Sequence, residues 1–449
     1  MGPDLKENGA RRSANCVWRW RGPSPFTFGS ASSASLWVRG QDGILELHRQ
    51  VAEPHHFAVP EFGRQTLTER RALILGAVGV AGLTAWRYRL LQVAGYTVVA
   101  GMRRKVSNDR PPDFQALAPQ WSALKPTRTH LHVRSRGMIT YHPWYDDFDP
   151  VTANNCLAAT AELGAGYIRL DIRWKDVLPD GRGTNEAAWT WYHQYLLAAR
   201  DWYGLEPLIV LYNPPKTVLN SPLFDRLAAW SRYVDEVGSR TGHMCNIYQL
   251  LNEPNNPVFK VFPLEIAPAA IATGAKILRH YNPDSQITIN VLAGLLGWHT
   301  DLEKLVRASG SAIDIVGLDY YPGTWTVSSN SDIINWNRLI EQITTTRASK
   351  NSPLYGRPVA ILETGYATNV RWCRDEEQQV RFLKDLGRAM ESLDRQIGPV
   401  GLVLVGIHEL SDADTHVLLD PEAHFGLLAS RTLRRKRGFE VTKELFRAL

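Results

Sequence analysis

From residue 129 onward the chain repeats one pattern, in which a short and nearly continuous apolar run precedes a longer, more polar segment. The apolar runs cover residues 137–141, 166–172, 207–212, 246–251, 286–291, 313–318, 358–362 and 400–405. Helical spacing of apolar residues occurs between them in segments 187–200, 224–241, 267–280, 332–349 and 376–397. Runs without polar alternation are typical of parallel strands that are buried on both faces. The pattern therefore predicts eight parallel strands that alternate with helices.

Eight such units predict an α/β fold of the TIM (β/α)8 barrel type over residues 129–449, with enlarged loops. We expect this barrel to follow a basic, partly disordered N-terminal region that contains an apolar segment. An open, doubly wound sheet is the alternative fold, but the sequence lacks the phosphate-binding loop that usually accompanies it. Active sites of TIM barrels lie at the carboxyl ends of the strands. Polar residues at those ends are therefore the functional candidates.

The first 128 residues predict three segments. Residues 1–67 have no hydrophobic period and contain Ser-, Gly- and Pro-rich patches, so we expect a poorly ordered region. Residues 68–105 contain a fourteen-residue apolar stretch between basic residues, and the pair Arg70-Arg71 resembles a twin-arginine export signal. This segment predicts membrane association or export; the alternative is an amphipathic helix packed on the main domain of a cytoplasmic protein. Residues 106–128 contain four prolines and predict a linker.

Charge and cysteine usage exclude several classes of function. The first 127 residues carry 17 Lys and Arg against 9 Asp and Glu, whereas the remainder carries 34 against 36. A nucleic-acid-binding domain would be basic on its folded part, so we expect no nucleic acid partner. The four cysteines show no CxxC spacing and predict neither a disulfide framework nor a zinc site. We expect no metal and no organic cofactor, and the sequence does not indicate an oligomeric state.

The tripeptide Asn252-Glu253-Pro254 ends the fourth apolar run. Pro254 has no backbone N–H to donate to a strand ladder, so it ends the strand. An amide and a carboxylate therefore lie side by side at the mouth of the predicted barrel. On its own the motif is weak, because a turn with a solvated glutamate has the same sequence.

A second carboxylate, Glu363, ends the seventh apolar run. Three strand–helix units separate it from Glu253, so the two strands face each other across the barrel. Two carboxylates that converge at this point are the groups that glycoside hydrolysis requires: one protonates the leaving oxygen, and the other attacks the anomeric carbon or activates water. Arg169, within the second run, would favour ionisation of Glu363, whose charge would keep Glu253 protonated.

With these residues the chain resembles the clan A glycoside hydrolases, and the family 1, 5 and 39 types are the most similar. Members of this clan are retaining hydrolases on a (β/α)8 barrel, with Asn-Glu-Pro after strand four and a nucleophilic Glu after strand seven. The resemblance implies a glycosidase that cleaves O-glycosidic, β-linked bonds of oligo- or polysaccharides. It implies that Glu253 is the acid/base and that Glu363 is the nucleophile.

The same resemblance implies roles for further residues. Asn252 matches the residue that hydrogen-bonds the sugar 2-hydroxyl, and Arg169 matches the arginine that orients the nucleophile. Tyr321 matches the tyrosine that hydrogen-bonds the nucleophile, with its neighbour Tyr320 as the other candidate. Asp171 and Asp319 are either polar neighbours of this site or buried polar residues elsewhere.

Two positions depart from the clan pattern. Asn213 stands after strand three, where a histidine or another polar residue is usual. On strand eight the clan usually has a tryptophan that stacks under the sugar, whereas this chain has His408 followed by Glu409. Trp325, just past Tyr321, is a candidate for the missing stacking surface. These departures leave the sugar open, and two alternatives remain: a catalytically silent glycan-binding barrel, and a transglycosylase that acts on envelope glycan.

Overall fold

A computed structural model describes strands at 34–40 and 43–49 and the greater part of the chain after residue 111. In that part it describes residues 112–126, 135–181, 183–295, 297–322, 336–368, 374–398, 400–413, 421–430 and 432–449. The chain divides into two units, Met1–Leu83 and Thr84–Leu449.

The second unit contains a closed barrel of eight strands, each parallel to both of its neighbours. The strands are β1 Gly137–Thr140, β2 Tyr167–Arg173, β3 Glu206–Tyr212, β4 Ile247–Leu250, β5 Gln286–Leu292, β6 Ile315–Asp319, β7 Val359–Thr364 and β8 Leu402–Ile407. One long helix follows each strand: α1 Pro150–Glu162, α2 Glu186–Leu197, α3 Leu223–Thr241, α4 Ala267–Tyr281, α5 Trp298–Ser309, α6 Trp336–Ala348, α7 Glu376–Ile397 and α8 Gly438–Ala448. The predicted TIM barrel is confirmed.

All eight predicted strands are present, with bounds that differ from the prediction by at most two residues. The five predicted helices correspond to α2, α3, α4, α6 and α7. The sequence analysis did not identify α1, α5 or α8. In α1 the small residues spread around the helix, so no apolar stripe is visible. Its start is nevertheless encoded locally, because the Asp149 carboxylate accepts a hydrogen bond from the Thr152 N–H at 2.8 Å and Pro150 occupies the first turn.

The strands are mostly apolar because alternate residues enter two different cores. Leu208 and Val210 of β3 belong to the cluster that fills the barrel interior. Ile209 and Leu211 point the other way, into the layer between strands and helices. A strand that is covered on both faces is apolar at most positions, which is the pattern that identified these strands in the sequence.

Residues 113–124, predicted as part of a linker, are instead packed on the helical layer. They form a short α-helix at Phe114–Leu117 and a 3-10 helix at Ala118–Ala123. The buried Phe114 ring meets Phe148 edge-on at a centroid distance of 4.9 Å, and Trp121 meets Trp191 of α2 at 5.8 Å. For this stretch the linker prediction is wrong, because burial of two large aromatic rings outweighs the chain-breaking effect of the prolines around them.

The first unit contains an antiparallel pair of strands, Ala34–Gly40 and Gly43–Arg49. The sequence analysis assigned no element within residues 1–67. The apolar segment 68–105 lies outside the described residues. Among the helices that the structure describes, none combines the length and the apolar character needed to cross a membrane.

Candidate active site

Glu253 and Glu363 meet in the mouth of the barrel. Glu363 lies within β7, one residue before its end, and Glu253 follows β4 by three residues. The loop after β4 turns sharply, with positive φ at Leu251 (65°) and Glu253 (42°). Both carboxyl groups are buried, and one oxygen of each lies within 4.8 Å of the other.

Three groups surround the Glu363 carboxylate. An Arg169 Nη2 lies 2.6 Å from Oε1, and the Tyr321 hydroxyl donates a hydrogen bond to Oε2 at 2.5 Å. His408 Nδ1 lies 3.8 Å from the same Oε2. Burial alone would raise the pKa of Glu363, but the Arg169 guanidinium, with His408 and the Tyr321 hydroxyl, holds it below its ordinary value of 4.5. Glu363 is therefore ionised at neutral pH.

Glu253 has the opposite electrostatic environment. Its Oε2 accepts a hydrogen bond from the Asn256 amide at 2.7 Å, and its backbone N–H donates to Asn290 Oδ1 at 2.8 Å. Burial and the nearby Glu363 charge raise the pKa of Glu253 to about 8, against the opposing hydrogen bond of Asn256. The two carboxyl groups therefore carry different charges at neutral pH although they share one site.

Asn252 is held with its amide oxygen toward the protein. That oxygen accepts hydrogen bonds from Asn290 Nδ2 at 2.8 Å, Gln249 Nε2 at 3.1 Å and Arg169 Nη2 at 3.2 Å. With three donors on Oδ1, the amide nitrogen is the end of this half-buried side chain that can meet a ligand.

Asp319, the last residue of β6, lies between the two glutamates. Its side chain is fully buried, and a carboxylate oxygen lies within 4.8 Å of oxygens of both Glu253 and Glu363. Asn290 Nδ2 donates a short hydrogen bond to Oδ2. Among the described residues, none hydrogen-bonds to Oδ1. Burial, together with the charges of Glu363 and Glu253, raises the pKa of Asp319 well above its ordinary value.

The wall that follows β8 is charged rather than aromatic. His408 Nε2 lies 3.5 Å from Glu422 Oε2, and its Nδ1 lies 3.7 Å from Glu409 Oε2. His142, two residues after β1, lies 2.5 Å from the same Glu409 oxygen. Burial would lower the pKa of His408, but Glu422, Glu409 and Glu363 raise it to about 9. A cation therefore occupies the position where the sequence lacks the expected tryptophan.

Three further residues predicted from the sequence are Tyr320, Asn213 and Trp325. The Tyr320 ring packs edge-on against Trp336 at 5.0 Å, so of the two adjacent tyrosines it is Tyr321 whose hydroxyl contacts the Glu363 carboxylate. Asn213 adopts a positive φ of 60° and donates a hydrogen bond to Asp171 Oδ2 at 2.8 Å. Trp325 lies outside the described residues.

Among the described residues, two groups of side chains are close enough to surround a cation: Glu253, Asp319 and Glu363, and His142, His408 and Glu409. In the first group, Arg169 already neutralises Glu363. In the second, the 2.5 Å between His142 Nδ1 and Glu409 Oε2 is shorter than the roughly 3.3 Å between two ligands of one tetrahedral zinc ion. We assign neither group as a metal site.

Several residues of the site were not identified from the sequence. Gln249 and Asn290 are amide residues inside largely apolar runs, and a buried polar residue in a strand is a usable signal. His142 follows a predicted strand end and could have been found in the same way. Glu422 lies on a short 3-10 helix, Pro421–His424, in the loop after β8, where no periodicity marks it.

No family model and no curated protein matches this sequence. Solved structures do match it. A family 1 β-glucosidase from Thermotoga maritima is 14% identical, with a TM-score of 0.56 over 71% of this chain and 99% of that chain. A β-glycosidase is 18% identical, with a TM-score of 0.51 over 66% and 86%. An exo-β-1,4-mannosidase from an Opitutaceae bacterium is 16% identical, with a TM-score of 0.55 over 70% and 59%. At these identities the matches establish the fold alone, which is a (β/α)8 barrel.

Proposed function

We propose that this protein is a retaining glycoside hydrolase that cleaves β-linked O-glycosidic bonds. The observation that carries the proposal is the pair of buried carboxyl groups, Glu253 and Glu363, with oxygens within 4.8 Å of each other. Retaining enzymes place their two carboxyl groups about 5–5.5 Å apart, whereas inverting enzymes need about 6.5–9.5 Å to admit a water molecule. The opposite shifts of the two pKa values support a division into an acid and a nucleophile.

In the first step, ionised Glu363 attacks the anomeric carbon while protonated Glu253 donates its proton to the leaving oxygen. The glycosidic C–O bond breaks, and an ester forms between the sugar and Glu363. The Tyr321 hydroxyl and Arg169 orient the attacking carboxylate. The Asn252 amide nitrogen is available for the sugar 2-hydroxyl, an interaction that strengthens in the transition state of such reactions.

In the second step, the ester carries no charge, so the repulsion that kept Glu253 protonated is gone. The pKa of Glu253 falls, and its carboxylate takes a proton from water. The resulting attack on the anomeric carbon releases Glu363 as a carboxylate. Two displacements at one carbon restore the original anomeric configuration.

The substrate class is an oligo- or polysaccharide, or a smaller glycoside, with a β-linked sugar. The matched solved structures are named as β-glucosidases, a β-glycosidase and a mannosidase. The charged wall of His408, Glu409 and Glu422 replaces an aromatic surface, so sugar hydroxyls would be recognised mainly by hydrogen bonds on this side. Relative rates on glycosides of different sugars therefore determine which sugar the site prefers.

A panel of aryl β-glycosides tests the proposal. We expect the wild type to hydrolyse at least one of them with retention, which NMR of the first-formed product measures. Glu363→Gln should abolish turnover, because an amide cannot form the ester, while leaving the fold intact. The matched control is Glu391→Gln, which removes an exposed carboxylate on α7. A folded Glu363→Gln variant with wild-type turnover would refute the proposal. Glycan binding without turnover would favour the silent barrel, and transfer to an added acceptor sugar would favour the transglycosylase.

A further inference from the structure

A third carboxyl group, Asp319, is built into the proposed site. Strand β6 lies between β5 and β7, and its register places Asp319 beside Glu363. The two cations near these carboxyl groups both face Glu363: Arg169 forms a close ion pair with it, and His408 lies 3.8 Å from it. Among the described residues, no salt bridge joins a cation to Asp319.

Hydrogen bonding distinguishes the two oxygens of Asp319. Oδ2 accepts a hydrogen bond from Asn290, whose own Oδ1 accepts the Glu253 N–H at 2.8 Å. Oδ1 is buried and has no hydrogen-bond partner among the described residues, and one oxygen of this carboxyl group lies within 4.8 Å of oxygens of both glutamates. Two carboxylate oxygens both accept, so a carboxyl pair at this distance forms a hydrogen bond only if one of the two groups keeps a proton.

We propose that Asp319 keeps its proton throughout catalysis and donates a hydrogen bond from Oδ1 to the Glu253 carboxyl group. Asp319 is then a positioning residue that acts through Glu253, and the inference rests on the proposed acid/base role of Glu253. The charged or titratable groups that face Asp319 are Glu253 from β4, Glu363 from β7, Arg169 from β2 and the following Tyr321. Of these, only Arg169 favours the ionised form of Asp319.

The hydrogen bond matters most when Glu253 is ionised. After Glu253 has protonated the leaving group, its new carboxylate lies in a buried site, where an uncompensated charge is strongly unfavourable. A donor on Asp319 stabilises that carboxylate in both steps and holds its oxygens in place for the incoming water. No proton is lost from Asp319, so the proton balance of the two displacements is unchanged.

Two substitutions separate hydrogen bonding from charge. In Asp319→Asn, the amide oxygen can accept from Asn290 while the amide nitrogen donates to Glu253, but the side chain cannot titrate. In Asp319→Leu, the side chain keeps the same branching at Cγ and the donor is gone. The control is Asp284→Asn, an exposed residue before β5 at the opposite end of the barrel. Circular dichroism and thermal unfolding establish that each variant is folded.

Infrared difference spectra at neutral pH report the protonation state directly. We expect the wild type minus Asp319→Asn spectrum to show the C=O band of a protonated carboxyl group, and the control spectrum to show carboxylate bands. A carboxylate signal for Asp319 would overturn the inference. This measurement needs no substrate, so it reports the protonation state of Asp319 even if the proposed function fails. An active enzyme with an ionised Asp319 would refute this inference and leave the proposed function intact.

The basic limb of the kcat/KM profile provides the second readout. It should lie near pH 8 in the wild type, because Glu253 must be protonated to act as the acid. Loss of a donor that stabilises ionised Glu253 should move the limb of Asp319→Leu upward by about one to two pH units. Asp319→Asn should stay near the wild type. If Asp319 were ionised, its removal would instead move the basic limb to lower pH in both variants. That outcome would contradict the proposal, and so would an unchanged profile in Asp319→Leu.

Discussion

At the scale of single residues, Arg169 allows two neighbouring carboxyl groups to differ in charge. Its guanidinium is almost completely buried, contacts Glu363 at 2.6 Å and donates hydrogen bonds to Gln249 at 2.9 Å and Asn252 at 3.2 Å. These two neutral acceptors fix the orientation of the planar guanidinium group and its forked N–H donors. The charge is thereby directed at Glu363 and not at Glu253.

Replacing Arg169 tests this arrangement. Arg169→Met leaves buried Glu363 with only the more distant His408 as a countercharge, so we expect the free energy of unfolding at pH 7 to fall by about 3–5 kcal/mol. The pKa of Glu363 should rise because the effect of burial is then less opposed, so the acid limb of kcat/KM should move to higher pH. In the wild type we expect this limb below the ordinary range of a glutamate, because Arg169 lowers the pKa of Glu363. Urea unfolding and pH–rate profiles measure the two effects.

Arg169→Lys serves as the matched control for charge. A lysine keeps the positive charge but not the fork, so both effects should be smaller than in Arg169→Met. A folded methionine variant with the wild-type acid limb would show that Arg169 does not set the ionisation of Glu363.

At the scale of elements, a close approach of two chain segments assembles one wall of the site. The segments that follow β7 and β8 approach so closely that a Cβ on Gly365 would lie 2.0 Å from the His408 backbone oxygen. Only glycine fits there, and the close approach brings His408 next to Glu363. Away from the site, the aromatic segment 113–124 covers α2 on the outside of the barrel.

The segment 113–124 should contribute measurably to stability. Trp121 is 1% exposed and contacts Trp191 and Tyr195, so Trp121→Ala should lower the free energy of unfolding by about 3–5 kcal/mol. The exposed Gln115 of the same segment is the control, and Gln115→Ala should change it by less than about 0.5 kcal/mol. Equal stabilities of the two variants in urea would mean that the segment is not part of the cooperative unit.

At the scale of the whole molecule, the two parts of the chain should separate by function. The proposed domains are residues 1–67, the anchor-like segment 68–105, and the barrel with the segment that precedes it. We expect a chain of residues 106–449 to keep the specific activity of the full chain, because every described site residue lies in the barrel. The full chain should fractionate with membranes or be exported, and the shortened chain should do neither. Identical fractionation of both chains would contradict a targeting role for residues 68–105.

The sequence by itself determined the barrel, its strand bounds and the two carboxylates. Strands that are buried on both faces are apolar at most positions, so the apolar runs located them. Glu253 and Glu363 could be predicted because polar residues at strand ends are brought to one face by the topology. The contacts of Arg169 and Tyr321 with Glu363 agree with what the resemblance implied, and their catalytic roles remain predictions.

Only the tertiary structure decided how charge is distributed around Glu253 and Glu363. Distances between residues far apart in the chain decide three features of the site. They place Asp319 beside the two glutamates, they turn the Tyr321 side chain rather than that of Tyr320 toward Glu363, and they put His142 and Glu422 beside His408. Electrostatic interactions in a buried site change steeply with separation and solvent exposure, and neither quantity is encoded locally. The same reason explains the error at residues 113–124, where prolines predicted a linker and long-range burial of Phe114 and Trp121 decided otherwise.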